Sequence, residues 1–196
     1  MKVLSIAFCL SLLTLLSACS SSGEAPIRYY VLGPVDQAEL NVDGIDYSIR
    51  ISDLYIPQYL ERYQMVKRAG DNELIFSESH QWGENLRKNL LRTLGVNIST
   101  LLATPSVSTP ISRSKVKANT SITVFVERFD QNMDGEIMLS ARYQIVNDAQ
   151  EAKTFSHTSS NMTASNSYTA MVSGMAELFN ELSREIAQKV IDEASH

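Results

Sequence analysis

Apolar and polar positions along this chain alternate in several stretches and twice switch to a spacing of three or four. Residues 27–32 carry aromatic and β-branched side chains and end at Gly33-Pro34, which predicts a first strand. From residue 45, Ile45, Tyr47, Ile49 and Ile51 interleave with Asp46, Ser48 and Arg50, giving a half-buried strand that stops before Pro57. Residues 64–67 and 73–76 are short strands around Gly70-Asp71-Asn72, a hairpin pattern. At His80 the period changes. Trp82, Leu86, Leu90, Leu94, Ile98 and Leu102 recur every four residues and line one helix face. Gly95 is a weak point or an early end of that helix, because glycine inside a helix costs about 1 kcal/mol relative to alanine. Residues 104–114, with Pro105 and Pro110 among serines and threonines, read as a surface loop. Two long strands follow, one with Ile122, Val124 and Val126 alternating and the other with Ile137, Leu139, Ala141, Tyr143 and Ile145. Asp134-Gly135 between them signals a hairpin. Residues 153–163 are a polar candidate edge strand, and a last helix starts near Ser167 with Met171, Met175, Leu178, Phe179, Leu182, Ile186 and Val190 on its apolar side. The order β-β-β-β-α-β-β-β-α predicts an α+β fold, a single domain whose mixed, largely antiparallel sheet is covered by two main helices.

The N-terminus follows other rules. Lys2 precedes an apolar run from Val3 to Leu16, and Leu16-Ser17-Ala18-Cys19 matches a bacterial lipobox. The run is shorter than the ~20 residues that cross a bilayer, so it reads as a cleaved signal. The expected organisation is a signal peptide over 1–18, a lipidated cysteine and flexible tether over 19–26, and one globular periplasmic domain over 27–196. Several acyl chains on Cys19 would anchor stably, whereas one chain binds a membrane with an association constant of only about 10⁴ M⁻¹. Ser20 holds the sorting position, and resemblance to bacterial lipoprotein signals implies the outer membrane, because the aspartate typical of inner-membrane retention is absent. Cys9 leaves with the signal and Cys19 is acylated, so no disulfide supports the domain. Losing Lys2 takes the formal charge from -5 to about -6, which disfavours nucleic acid and an electrostatic grip on anionic headgroups.

Reaction chemistry is sparse. The three histidines, His80, His157 and His196, have no ligand spacing to one another, and no nucleophile elbow, zinc-helix motif or phosphate-cradling loop occurs. No catalytic residue, metal ligand or cofactor is therefore assigned. A hydrolase would need a serine or carboxylate brought beside His80 or His157 by the fold. Asp130-Gln131-Asn132-Met133-Asp134-Gly135 copies the opening of a calcium loop, yet the closing position is Ala141 and the flanks alternate like strands, so a plain hairpin turn is expected.

One segment carries a resemblance. Ile56-Pro57-Gln58-Tyr59-Leu60-Glu61-Arg62-Tyr63-Gln64, followed by Trp82-Gly83-Glu84-Asn85-Leu86, resembles the ABC-type transport auxiliary lipoproteins, the PqiC/YmbA family, as do Tyr29-Tyr30-Val31-Leu32-Gly33-Pro34 and the lipobox. The resemblance implies a non-catalytic outer-membrane lipoprotein that docks or stabilises the distal end of an MCE-type lipid-transport assembly. It also implies an MCE-domain partner and possible homo-oligomers. The alternative is a periplasmic lipid carrier or acceptor with an apolar pocket between sheet and helices. Candidate partner-binding residues are Pro57, Tyr59, Leu60, Arg62, Gln64, Trp82 and Glu84. Trp82 heads the apolar stripe, which favours a core place; Tyr59 and Leu60 either pack inward or form a recognition patch. Arg62 is expected in solvent or braced by Glu61 or Glu84.

Overall fold

A computed structural model describes residues 25–34, 40, 46–113, 117–148 and 151–194. The lipobox, Cys19, Ser20 and Ile45 lie outside the described residues. Eight strands form one sheet: β1 (Arg28–Tyr30), β2 (Ile49–Tyr55), β3 (Gln64–Arg68), β4 (Leu74–Trp82), β5 (Val107–Ser108), β6 (Thr120–Asn132), β7 (Glu136–Asn147) and β8 (Ala152–Met162). A 3₁₀ turn at Gln58–Leu60 joins β2 to β3, helix α1 (Leu86–Leu101) follows β4, and helix α2 (Tyr168–Ala194) ends the described chain.

β6 organises the sheet. One edge pairs antiparallel with β7 from Thr120 to Gln131, and β7 pairs antiparallel with β8. The other edge forks. Residues from Thr120 to Phe125 pair parallel with β2, which carries β5, whereas Gln131 and Asn132 pair parallel with β3, which carries β4 and then β1. A bulge between Val126 and Arg128 lies in the gap between the two branches.

Both helices cover one face. Ile51 sits opposite Ile122, which sits opposite Ile145, and all three are buried. α1 packs on β2 and β5, α2 packs on β6, β7 and β8, and the helices join through Asn97 Nδ2, which donates to Asn180 Oδ1 at 2.6 Å. The hairpin at Asp134-Gly135 forms as expected, with Gly135 at φ 94°. β8 is an edge strand, and Ser167 Oγ caps α2 by accepting from the Ala170 N–H at 3.2 Å.

Three local expectations are corrected. Residues 80–82 belong to β4, because β1 supplies them a strand partner, and the helix begins only at Leu86 behind the cap Asn85, whose side chain accepts from the Lys88 N–H. A spacing of four fits a period of two as well as a helix, so Trp82 belonged to either. Gly95 does not end α1; a Cβ there would lie 3.0 Å from Thr109 Cγ2, so glycine lets the segment after β5 close against the helix. Residues 104–114 include a short strand, since the edge of β2 recruits Val107 and Ser108. The sheet is mixed, with its longest ladders antiparallel, but the pairings of β1–β4, β2–β5, β2–β6 and β3–β6 are parallel.

Candidate functional site

The segment after β2 crosses the fork in the sheet. Pro57 fixes φ at -58° and starts the 3₁₀ turn, with the Leu60 N–H donating to Pro57 O at 2.9 Å. The turn sends Leu60 into the core at 2 % exposure and aims Tyr59 at the gap. There Tyr59 Oη donates to Asp130 Oδ2 at 2.9 Å and accepts from the Phe129 N–H at 3.4 Å. Phe129 lies in the stretch of β6 that neither branch pairs on the fork side. Tyr59 thus supplies the partner that a strand would have supplied.

Asp130 is wholly buried and is the hub. Arg68 Nη2 donates to its Oδ2 at 2.8 Å and Arg68 Nε to Oδ1 at 3.1 Å, while Arg128 Nε donates to Oδ1 at 2.9 Å. Burial alone would raise this carboxyl, but the hydrogen bonds from Arg68, Arg128 and Tyr59 outweigh it and hold it below its ordinary value. Burial, then the Asp130 charge, pushes Tyr59 up to about 12. Both carboxylate oxygens are occupied by donors, so the cluster clamps two strands and a turn instead of presenting a reactive group.

The remaining motif residues also serve the fold. Trp82 is buried at 3 % and its backbone N–H donates to Tyr63 O at 2.7 Å. Gln64 stands opposite Gln81 in the β3–β4 ladder. Arg62 is exposed, the first of its two expected places, and lies 4.8 Å above the Phe76 ring instead of bracing against Glu61 or Glu84. Glu84 instead takes two hydrogen bonds from Arg92 across the first turns of α1 and is held below its ordinary value by them. A groove of about 460 Å³ lined by Gln58, Tyr59, Glu61, Arg62 and Phe76 opens beside the turn.

The alternatives meet specific geometry. Between sheet and helices, side chains from Ile49 to Val190 are 0–5 % exposed, so packing fills the space a carrier pocket would need. An open groove of about 450 Å³ lies instead outside α1, lined by Val96, Val107 and Ile111 among others. His157 is not isolated: Nδ1 lies 2.6 Å from Glu185 Oε2 and Nε2 lies 2.9 Å from Ser159 Oγ, while Tyr143 Oη donates to Glu185 Oε1 at 2.8 Å. This array, whose members lie on β7, β8 and α2, gives His157 the serine and carboxylate neighbours that the sequence required of a hydrolase, and it ties the edge strand to the helix. Among the described residues no group of three or more His, Cys, Asp or Glu converges on a metal position. The calcium-loop likeness dissolves into the fork, since Asp130 binds arginines and Asn132 Oδ1 accepts from the Asp134 and Glu136 N–H groups.

The sequence profile of a family described as the ABC-type transport auxiliary lipoprotein component matches residues 30–187. The chain belongs to this family. It is 26% identical over 178 residues to proteins named intermembrane transport lipoprotein PqiC from Escherichia coli strain K12 and from Shigella flexneri, covering 89% of this chain and 91% of each relative. A crystal structure of a Xanthomonas campestris protein has the same fold, with a TM-score of 0.72 at 9% identity, over 86% of this chain and 97% of that one. A second crystal structure, of an uncharacterised protein, matches with a TM-score of 0.71 at 18% identity, over 85% of this chain and 99% of that one. The family match spans the fork, the Asp130 clamp and most of both helices.

Proposed function

We propose that this protein is a non-catalytic, outer-membrane lipoprotein of an MCE-type intermembrane lipid-transport system, anchored through Cys19, sorted by Ser20, and docking or stabilising the outer-membrane end. The observation that carries the reading is the family match over residues 30–187, supported by the likeness to intermembrane transport lipoproteins over nearly their whole length. The geometry agrees with it. The motif residues build the junction at the fork, and the array around His157 sits midway along β8, apart from the grooves beside the turn and outside α1. Self-association is part of the proposal, with the outer edge of β8, which no other described strand pairs, as a strand edge open to a neighbour.

The test is an affinity pull-down of the anchored protein from detergent-solubilised envelopes, with bound proteins and lipids both identified by mass spectrometry. Recovery of an MCE-domain protein is the expected result. Recovery of phospholipid without any such protein would overturn the docking role in favour of a carrier, for which the groove outside α1 is the place to look.

A further inference from the structure

The face of β1 turned away from the core carries an apolar stripe. Ile27, Tyr29 and Val31 are 46, 64 and 55 % exposed, and as alternate positions of an extended segment they share one side. Tyr30 and Leu32 point the other way, Tyr30 against the core and Leu32 at 1 % exposure. The stripe is held in place. Asn89 on α1 grips the Leu32 peptide from both sides, Oδ1 accepting from its N–H at 2.7 Å and Nδ2 donating to its carbonyl at 2.7 Å. Thr93 Oγ1 donates to the same carbonyl at 3.3 Å, and Tyr30 Oη lies 2.8 Å from His80 Nδ1. β1 is ordered by this side-chain grip and by its pairing with β4, yet three of its apolar side chains stay in water.

Where the stripe sits decides its partner. Only residues 20–26 separate Cys19 from Ile27. A chain of that length averages about 15 Å end to end and stretches to no more than about 25 Å. We propose that Ile27, Tyr29 and Val31 rest in the headgroup layer of the phospholipid membrane that holds the acyl chains, a second contact that orients the domain. The inference rests on lipid anchorage at Cys19. Tyrosine suits that layer, with an apolar ring and a polar hydroxyl, and the branched neighbours gain by leaving water. A patch this small would not recruit the protein from solution, but the anchor raises the local concentration, so a weak contact is enough to set orientation.

The test uses the full lipidated protein in vesicles of phosphatidylethanolamine and phosphatidylglycerol, with and without dibrominated phosphatidylcholine. Tyr29→Trp places an indole in the stripe, and Thr154→Trp places one at an exposed position of β8, across β6 and β7 from the branch that carries β1; buried Trp82 is the shared background. The expected result is a loss of emission of about twofold or more on bromolipid for Tyr29→Trp and no change for Thr154→Trp. An indole in Tyr29→Trp that bromolipid spares and aqueous iodide quenches would overturn the inference, because the stripe then faces water. Shielding from both quenchers would also overturn it, with a second copy or another protein as the cover. Protein that fails to float with the vesicles removes the anchorage reading and this inference with it, whereas flotation with an unquenched indole removes this inference alone.

Discussion

Tyr59 Oη meets Asp130 Oδ2 at 2.9 Å across 71 positions of sequence, and this contact closes the fork where β2 and β3 part from β6. Its removal leaves two groups short of a partner at once: a buried carboxylate loses a donor and the Phe129 N–H loses its acceptor. Tyr59→Phe keeps the ring and deletes only the hydroxyl. The expected cost is about 1–3 kcal/mol of unfolding free energy, read as a lower urea midpoint with an unchanged slope.

The same cluster sets the acid limit. Asp130 has a folded pKa below its ordinary 3.8, so the unfolded chain binds the proton more readily. Its contribution to stability is complete above that ordinary value and is lost as pH falls through the lower folded value. Asp130→Asn should lower stability at neutral pH and flatten the acid limb below about pH 4, measured by thermal melts across pH. Tyr59 works in the other direction. Its pKa rises from 10.0 to about 12, so its share is present below pH 10.0 and fades as pH climbs toward 12. In Tyr59→Phe the wild-type loss over that alkaline window should shrink.

α2 packs tightly on β7 at Gly174. A Cβ there would stand 2.6 Å from Ile137 Cδ1 and 3.3 Å from Thr163 Cγ2. Gly174→Ala therefore gains helix propensity of about 1 kcal/mol but overpacks a buried seam, a change that typically costs about 1–3 kcal/mol. The expected result is net destabilisation by thermal melt. Ile137→Val removes the Cδ1 methyl, so the pair Gly174→Ala with Ile137→Val should lose less than the sum of the two single changes.

The elements were legible where one period governed a whole segment. The β6–β7 hairpin, the polar edge strand β8 and the apolar face of α2 follow from alternation, Asp134-Gly135 and the spacing of Met171, Met175 and Leu178. The start of α1 was not, because Trp82 and Leu86 are four apart and that distance suits strand and helix alike. The parallel pairings were hidden too, since β2 and β6 are joined only through the β3–β4 hairpin and α1, and local pattern carries no information on such partners. Within the candidate site, Pro57, Tyr59 and Trp82 stood out by resemblance, yet their job did not. Its key, Asp130, sits past a bulge that shifts the alternation begun at Ile122, so the sequence offered it as a turn ligand. The signal was a charged residue next to Phe129 inside a strand whose earlier inward positions, Ile122, Val124 and Val126, are apolar.

Anchorage gives a prediction that is independent of the fold. Cys19→Ala removes the thiol that would take the diacylglycerol, so the variant should keep its signal peptide and lose the mass of the lipid. Ser20→Asp restores the retention residue and should move the protein from outer-membrane to inner-membrane fractions on a sucrose gradient, with folding and lipidation intact. Unchanged fractionation of Ser20→Asp would argue that the sorting position is not read in this chain.

The array Ser159–His157–Glu185 is the sharpest challenge to a non-catalytic role, because its distances of 2.9 and 2.6 Å are those of a nucleophile, base and orienting acid. Acyl transfer also needs a carbonyl to reach the nucleophile and donors to hold the developing oxyanion. Ser159 lies within β8 opposite Leu139 on β7, not on a sharp turn, and the grooves of about 450 and 460 Å³ are lined by other residues. The network is therefore expected to act as a brace between β8 and α2. A fluorophosphonate probe should leave the wild-type protein unlabelled. His157→Ala should cost about 1–3 kcal/mol, since it strips a partner from Glu185 in a mostly buried seam, while Ser159→Ala should cost about 0.5 kcal/mol or less. Labelling of the wild type that disappears in Ser159→Ala would show a working nucleophile and overturn the non-catalytic reading.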